Sequence, residues 1–162
     1  MKQLAYMALA VAVLLCWTGE FDRVDAQGPV RQHVFTSEST PPWDPPPPIV
    51  APGAQFAVME GDPTTASEDY TFRMRLPDGY RFAPHWHPLR ENLTVISGTF
   101  RVGMGDVFDA KKMTALPAGS FAFLDPDMHH YGMAAGEVIV PVHGQSPLEI
   151  NNLNPQDDPG RK

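Results

Sequence analysis

Eighteen prolines and thirteen glycines cut a chain of 162 residues into short runs, and that punctuation limits the fold more than any other feature. Proline fixes φ and removes a backbone donor, so neither a helix interior nor a central strand tolerates it well. Long uninterrupted helices are therefore not expected. Between the breaks, from 54 to 150, apolar and polar residues alternate. In Asp69–Leu76, residues Tyr70, Phe72, Met74 and Leu76 share one face, and Thr71, Arg73 and Arg75 the other. This is the period-two pattern of a half-buried strand. Pro77-Asp78-Gly79 ends that run as a turn. Residues 55–60, 80–82, 92–97, 99–103, 120–124, 130–133 and 138–143 read as further short strands, with a break at Pro84. The rest of the 98–119 interval reads as a loop. Short strands separated by turn signals predict an all-β sandwich or barrel.

One domain suits this length. A net charge of −7 with no basic run argues against nucleic-acid or anionic-membrane partners, which need clustered positive charge. Residues 1–26 read as a signal peptide. Lys2 precedes an apolar run of 14 residues, 4–17, which is short of the roughly 20 needed to span a bilayer. Val24-Asp25-Ala26 places the cut before Gln27. An uncleaved anchor is the alternative, and lipidation at Cys16 is disfavoured by Leu15 before it. Cleavage would remove Cys16, the single cysteine, and with it any disulfide or thiolate ligand. The leader takes two basic and three acidic residues, leaving −6. The mature chain is expected in the periplasm or outside the cell, free of the membrane. Residues 27–53 read as a Pro-rich linker, extended over 40–49. It serves as a spacer or a partner-binding segment, with Trp43 able to pin it to the domain. Residues 54–154 form the domain and 155–162 a flexible tail.

Five of the six histidines fall between 85 and 143. On a strand, His85 and His87 point the same way with Cα atoms about 7 Å apart, so both can reach one ion at about 2.1 Å. Glu91 shares its strand face with Leu93, Val95 and Ser97. A carboxylate on such a face needs a partner, because an unpaired buried charge is expensive, and a metal would supply it. A surface His-x-His with a solvated Glu is the competing reading. Neither a Gly-rich phosphate loop nor a Gly-x-Ser-x-Gly elbow is present, so those chemistries are unsupported.

Gly79, His85, His87, Glu91 and Gly98 stand at the spacing of the complete first cupin motif, a match with chance odds on the order of 10⁻⁴. Of the second motif only Gly119 and His130 remain. Asp125 replaces its Pro, Asp127 its Gly and Ala134 its Asn. Asp127 is the milder loss, since Asp tolerates left-handed backbone. The region 54–154 thus resembles a small single-domain cupin, similar to an uncharacterised bacterial group. The resemblance implies a jelly-roll barrel, often a homodimer, with one divalent transition metal held by His85, His87, Glu91 and His130. Imidazole and carboxylate donors admit Mn, Fe, Co, Ni, Cu or Zn. His130 is expected to reach the others from across the barrel, with His129 and Tyr131 turned to the opposite face. His143 and Tyr131 are the candidate proton-handling residues. Arg73, Trp86 and Met128 are candidate cavity residues, whereas Asp106 and Asp109 need only a loop role. The expected function is metal-dependent oxidation (dioxygenase-like), isomerisation or lyase chemistry on a small-molecule ligand. A non-catalytic sensor or storage protein is the alternative, and an empty structural barrel a third reading.

Overall fold

The alternating runs pair into nine strands among the described residues, and every pairing between these strands is antiparallel. The structure is a computed structural model and describes residues 35–36, 42–66 and 68–161. The expected leader 1–26, the cut before Gln27, Cys16 and residues 27–34 and 37–41 of the linker lie outside them. The strands are β1 (Gln55–Glu60), β2 (Asp69–Leu76), β3 (Arg81–Trp86), β4 (Glu91–Thr94), β5 (Ser97–Met104), β6 (Thr114–Pro117), β7 (Phe121–Leu124), β8 (His130–Gln145) and β9 (Asn151–Asn152).

The 16-residue β8 organises the fold. Its first half lies between β3 and β5, and its second half between β2 and β4. Two five-stranded arrays result, β6-β5-β8-β3-β9 and β1-β2-β8-β4-β7, with β8 common to both. The sequence suggested two strands here, because Ala134-Ala135-Gly136-Glu137 breaks the alternation. The chain instead bulges. Ser97 faces Ile139 while Thr99 faces Ala135, so extra residues of β8 bow out between them. Gly136 takes φ +75° at this point, and its N–H donates to Asp78 Oδ1 at 2.7 Å. A side chain would resist that backbone; glycine does not.

Pro84 does not end β3. It falls where the β3–β8 register shifts between Phe82 and His85, a place that needs no proline donor, and its carbonyl accepts from Leu153 N at 3.0 Å. The short β6 and β9 were not expected. The inward faces of β2, β4, β5 and β8 form the core: Phe72, Met74, Leu76, Leu93, Phe100, Val138, Val140 and Val142 are all buried.

Residues 42–53 are part of this domain rather than a free linker. The Arg75 guanidinium lies 4.3 Å over the Trp43 ring. Asp44 exchanges two backbone hydrogen bonds with Phe56, at 2.7 and 2.9 Å, and Val50 is buried in the core. The tail is also structured in part. Pro155–Asp157 forms a 3₁₀ turn whose first residues are capped by Asn154, its Oδ1 accepting from Gln156 N at 3.1 Å. An Asn followed by Pro is a helix-start signal.

Candidate metal centre

His85 on β3 and His130 on β8 are direct cross-strand partners. Opposite residues of an antiparallel pair share a face, so the two imidazoles lie side by side with centroids 4.2 Å apart. His130 therefore meets His85 within one array; it does not reach across the barrel as the sequence suggested. His87, just past β3, completes the group, its ring 4.9 Å from His85 and 5.1 Å from His130. One nitrogen from each ring lies within 4.8 Å of the other two.

Backbone carbonyls fix all three rings. Nδ1 of His85 bonds Ala83 O at 2.6 Å, that of His87 bonds Glu149 O at 2.5 Å, and that of His130 bonds Met128 O at 2.8 Å. A carbonyl only accepts, so Nδ1 carries the hydrogen and Nε2 is left to ligate. Glu91 opens β4, and its Oε2 lies 3.7 Å from His87 Nε2 and 3.8 Å from His130 Nε2. Burial, then the charges of His130 and His87, push His85 down to about 3; burial also lowers His130, against the pull of Glu91. At neutral pH these two rings are uncharged. His87 Nε2 is buried without any hydrogen-bond partner. Lone pairs converging beside a carboxylate, with no donor among them, make an arrangement that a divalent cation satisfies. The three histidines fit a metal, and the Glu91 carboxylate stands beside two of them.

The group borders a cavity of about 40 Å³. Its other walls, apart from Tyr131, are hydrocarbon, Phe72, Leu93, Phe100, Val140 and Val142 among them.

His129 is half-buried, with Nδ1 2.7 Å from Asp106 Oδ1. Tyr131 is fully buried on the strand face opposite His130, against Phe108, and its hydroxyl donates to Asp109 O at 3.3 Å. His143 is exposed, because Val138, Val140 and Val142 take the inward face of β8 and turn it out. It borders a surface cleft with Asp69, Arg90 and Gln145. His143 is thus away from the histidine group, which corrects that expectation; Tyr131 lines the cavity beside the group, with its hydroxyl turned to Asp109 O. Met128 is exposed, and Arg73 and Trp86 are half-buried; none of the three borders the cavity. Asp109 caps the 3₁₀ turn Ala110–Lys112 by accepting from Lys111 N.

Two features were missed. Tyr70 and Glu91 both face Gly144 of β8. A Cβ at Gly144 would stand 3.1 Å from the Tyr70 hydroxyl, so the glycine leaves the phenol room toward Glu91. Burial and then the Glu91 charge raise the Tyr70 pKa. Tyr70 had read only as one of four core residues on β2. The second feature is a clamp. Arg90, between His87 and Glu91, donates from Nε and Nη2 to Asp125 Oδ1 at 2.9 and 2.6 Å. The Asp that displaces the motif's proline thus ties the two motif loops together. Asp127 sits at φ +62°, the left-handed backbone the motif glycine supplies, and its N–H donates to His87 O at 2.9 Å.

No family model and no curated protein matches the chain, but solved structures do. An RmlC-like cupin from Ralstonia eutropha aligns over 80% of this chain and 76% of its own, with TM-score 0.59 and 15% identity. For an RmlC-like cupin from Shewanella frigidimarina the figures are 71%, 91%, 0.54 and 17%. For KdgF from a Halomonas species they are 72%, 96%, 0.53 and 16%. Identities this low speak to fold, and the fold is that of the cupins: an all-β jelly-roll barrel carrying three histidines placed to hold a metal.

Proposed function

We propose that this protein is an exported metalloenzyme that binds one divalent transition metal through His85, His87, Glu91 and His130 and transforms a small organic ligand there. The observation that carries the reading is the convergence of three buried histidines, each fixed at Nδ1 by a backbone carbonyl. Ring orientation set by the backbone is what a metal site requires of its surroundings. A bound ion supplies Lewis-acid polarisation and a template. The chain's own residues orient it and, through the apolar walls, exclude water. Oxidation, isomerisation and lyase chemistry all suit such a centre. Metal analysis of protein purified from its native compartment tests the binding. Turnover of small acids and phenols by the iron and manganese forms tests the enzyme, and tight metal without turnover would instead mark a sensor or storage protein. Export rests on the leader pattern, and an intact mass beginning at Gln27 is the expected result. A homodimer is supported by Ile96, Phe121 and Phe123, exposed on the outward face of the β4–β7 side; sedimentation of the purified protein checks it.

A further inference from the structure

The cavity beside the histidines carries no chemistry of its own for a polar substrate. Among the described residues that line it there is no Arg, Lys, Ser, Thr, Asn or Gln. The one hydroxyl among them, that of Tyr131, donates to Asp109 O on the far face of β8. Every polar group left belongs to His85, His87, Glu91 or His130. A substrate atom that must be hydrogen-bonded can therefore be satisfied only at the metal, and any further polar atom would enter hydrocarbon unpaired.

Charge and size narrow the class. A divalent ion with the Glu91 carboxylate carries one net positive charge, which one anionic donor group neutralises. The cavity is small, about 40 Å³, so the body behind the donor is short. Resting on the metal-centre reading above, we infer that the site selects singly anionic oxygen donors with a short hydrocarbon body and no second polar group. Sugars, dicarboxylates and polyhydroxy acids are outside the class.

Cobalt(II)-loaded full-length protein tests this without turnover, through the visible spectrum of the bound ion. Acetate, propionate, butyrate and hexanoate share one carboxylate head and lengthen the body, while 4-hydroxybutyrate and succinate add a second polar group at its far end. Affinity should rise about fourfold per methylene from acetate to butyrate and stop rising at hexanoate. Butyrate should bind about tenfold more tightly than 4-hydroxybutyrate and more tightly still than succinate. Val140→Ala, which enlarges the cavity, should carry the rise past butyrate; if that variant does not fold, the wild-type series still decides. Cobalt that binds while butyrate, 4-hydroxybutyrate and succinate compete equally would overturn the substrate class alone. Failure of cobalt to bind at all would overturn the metal reading, and this inference with it.

Discussion

His129 and His130 are adjacent in sequence, yet strand alternation gives them opposite surroundings. His130 is buried beside His85 and Glu91, while His129 meets Asp106 at the surface. Removing one of four donors should cost more affinity than the 10–100-fold typical of losing an outer-shell partner. His130→Ala should thus lose most of its metal on dialysis and His129→Ala should keep it, as read by metal analysis of the pair. The reverse result would mean that the loop before β8 places the wrong histidine inward. Asp127 is the second residue whose backbone matters. Its φ of +62° costs a β-branched residue roughly 1–2 kcal/mol or more, and Asp or Gly less. Asp127→Val is expected to lose about that much in urea denaturation, while Asp127→Gly stays within about 1 kcal/mol of the parent. Equal stability of all three would show that the turn is not held in the left-handed region.

At the scale of elements, the segment before β1 belongs to the barrel. Val50 is buried against the core, Tyr80 donates to Ala51 O at 2.6 Å, and Asp44 pairs with Phe56. A chain beginning at Ala54 loses all of these, and burying a valine alone is worth roughly 1.5–3 kcal/mol. It should unfold at least about 2 kcal/mol below a chain beginning at Gln27 in urea titration, and equal midpoints would return the segment to the role of spacer. Trp43 was legible as a docking point, but the burial of Val50 was not, because a run of prolines has no periodicity to show which face is buried. The strand β2 was legible, since Tyr70, Phe72, Met74 and Leu76 alternate without interruption and all four are buried. The first-motif positions were legible for a different reason. Gly98, at φ +74°, would place a Cβ 2.2 Å from Glu137 O, so the chain must carry glycine there. What could not be read was pairing between distant segments. The continuity of β8 depends on hydrogen bonds from β3 and β5, and the side-by-side placement of His85 and His130 depends on register. Tyr70 stayed hidden likewise, because only the β2–β8–β4 register brings it beside Glu91.

The whole molecule carries its buried histidines at a cost in acid. His85 is held at about 3 and His130 is lowered as well, in both cases chiefly by burial. In the unfolded chain each imidazole titrates near 6.5. The folded state therefore stays neutral over a range in which the unfolded state takes up protons, and each proton bound only by the unfolded state favours unfolding. The sign follows: these groups contribute their full stability above about pH 6.5, and it is lost as pH falls through that value toward their depressed folded pKa values. For His85 the slope is about 1.4 kcal/mol per pH unit between roughly 6.5 and 3, and His130 adds to it as pH falls below about 6.5. Metal strengthens the dependence, because an ion bound only by the folded state stabilises it and competes with the same protons. Metal-loaded protein should melt above chelator-treated protein at pH 7.5, with the gap closing as pH drops toward 4. Chelated protein should itself lose stability steadily below about pH 6.5. A chelated His85→Gln, His130→Gln double variant removes both titrating rings and should flatten the decline above the carboxylate range. If calorimetry finds that variant falling as steeply as the parent between pH 6.5 and 5, the buried histidines are not the origin of the acid sensitivity.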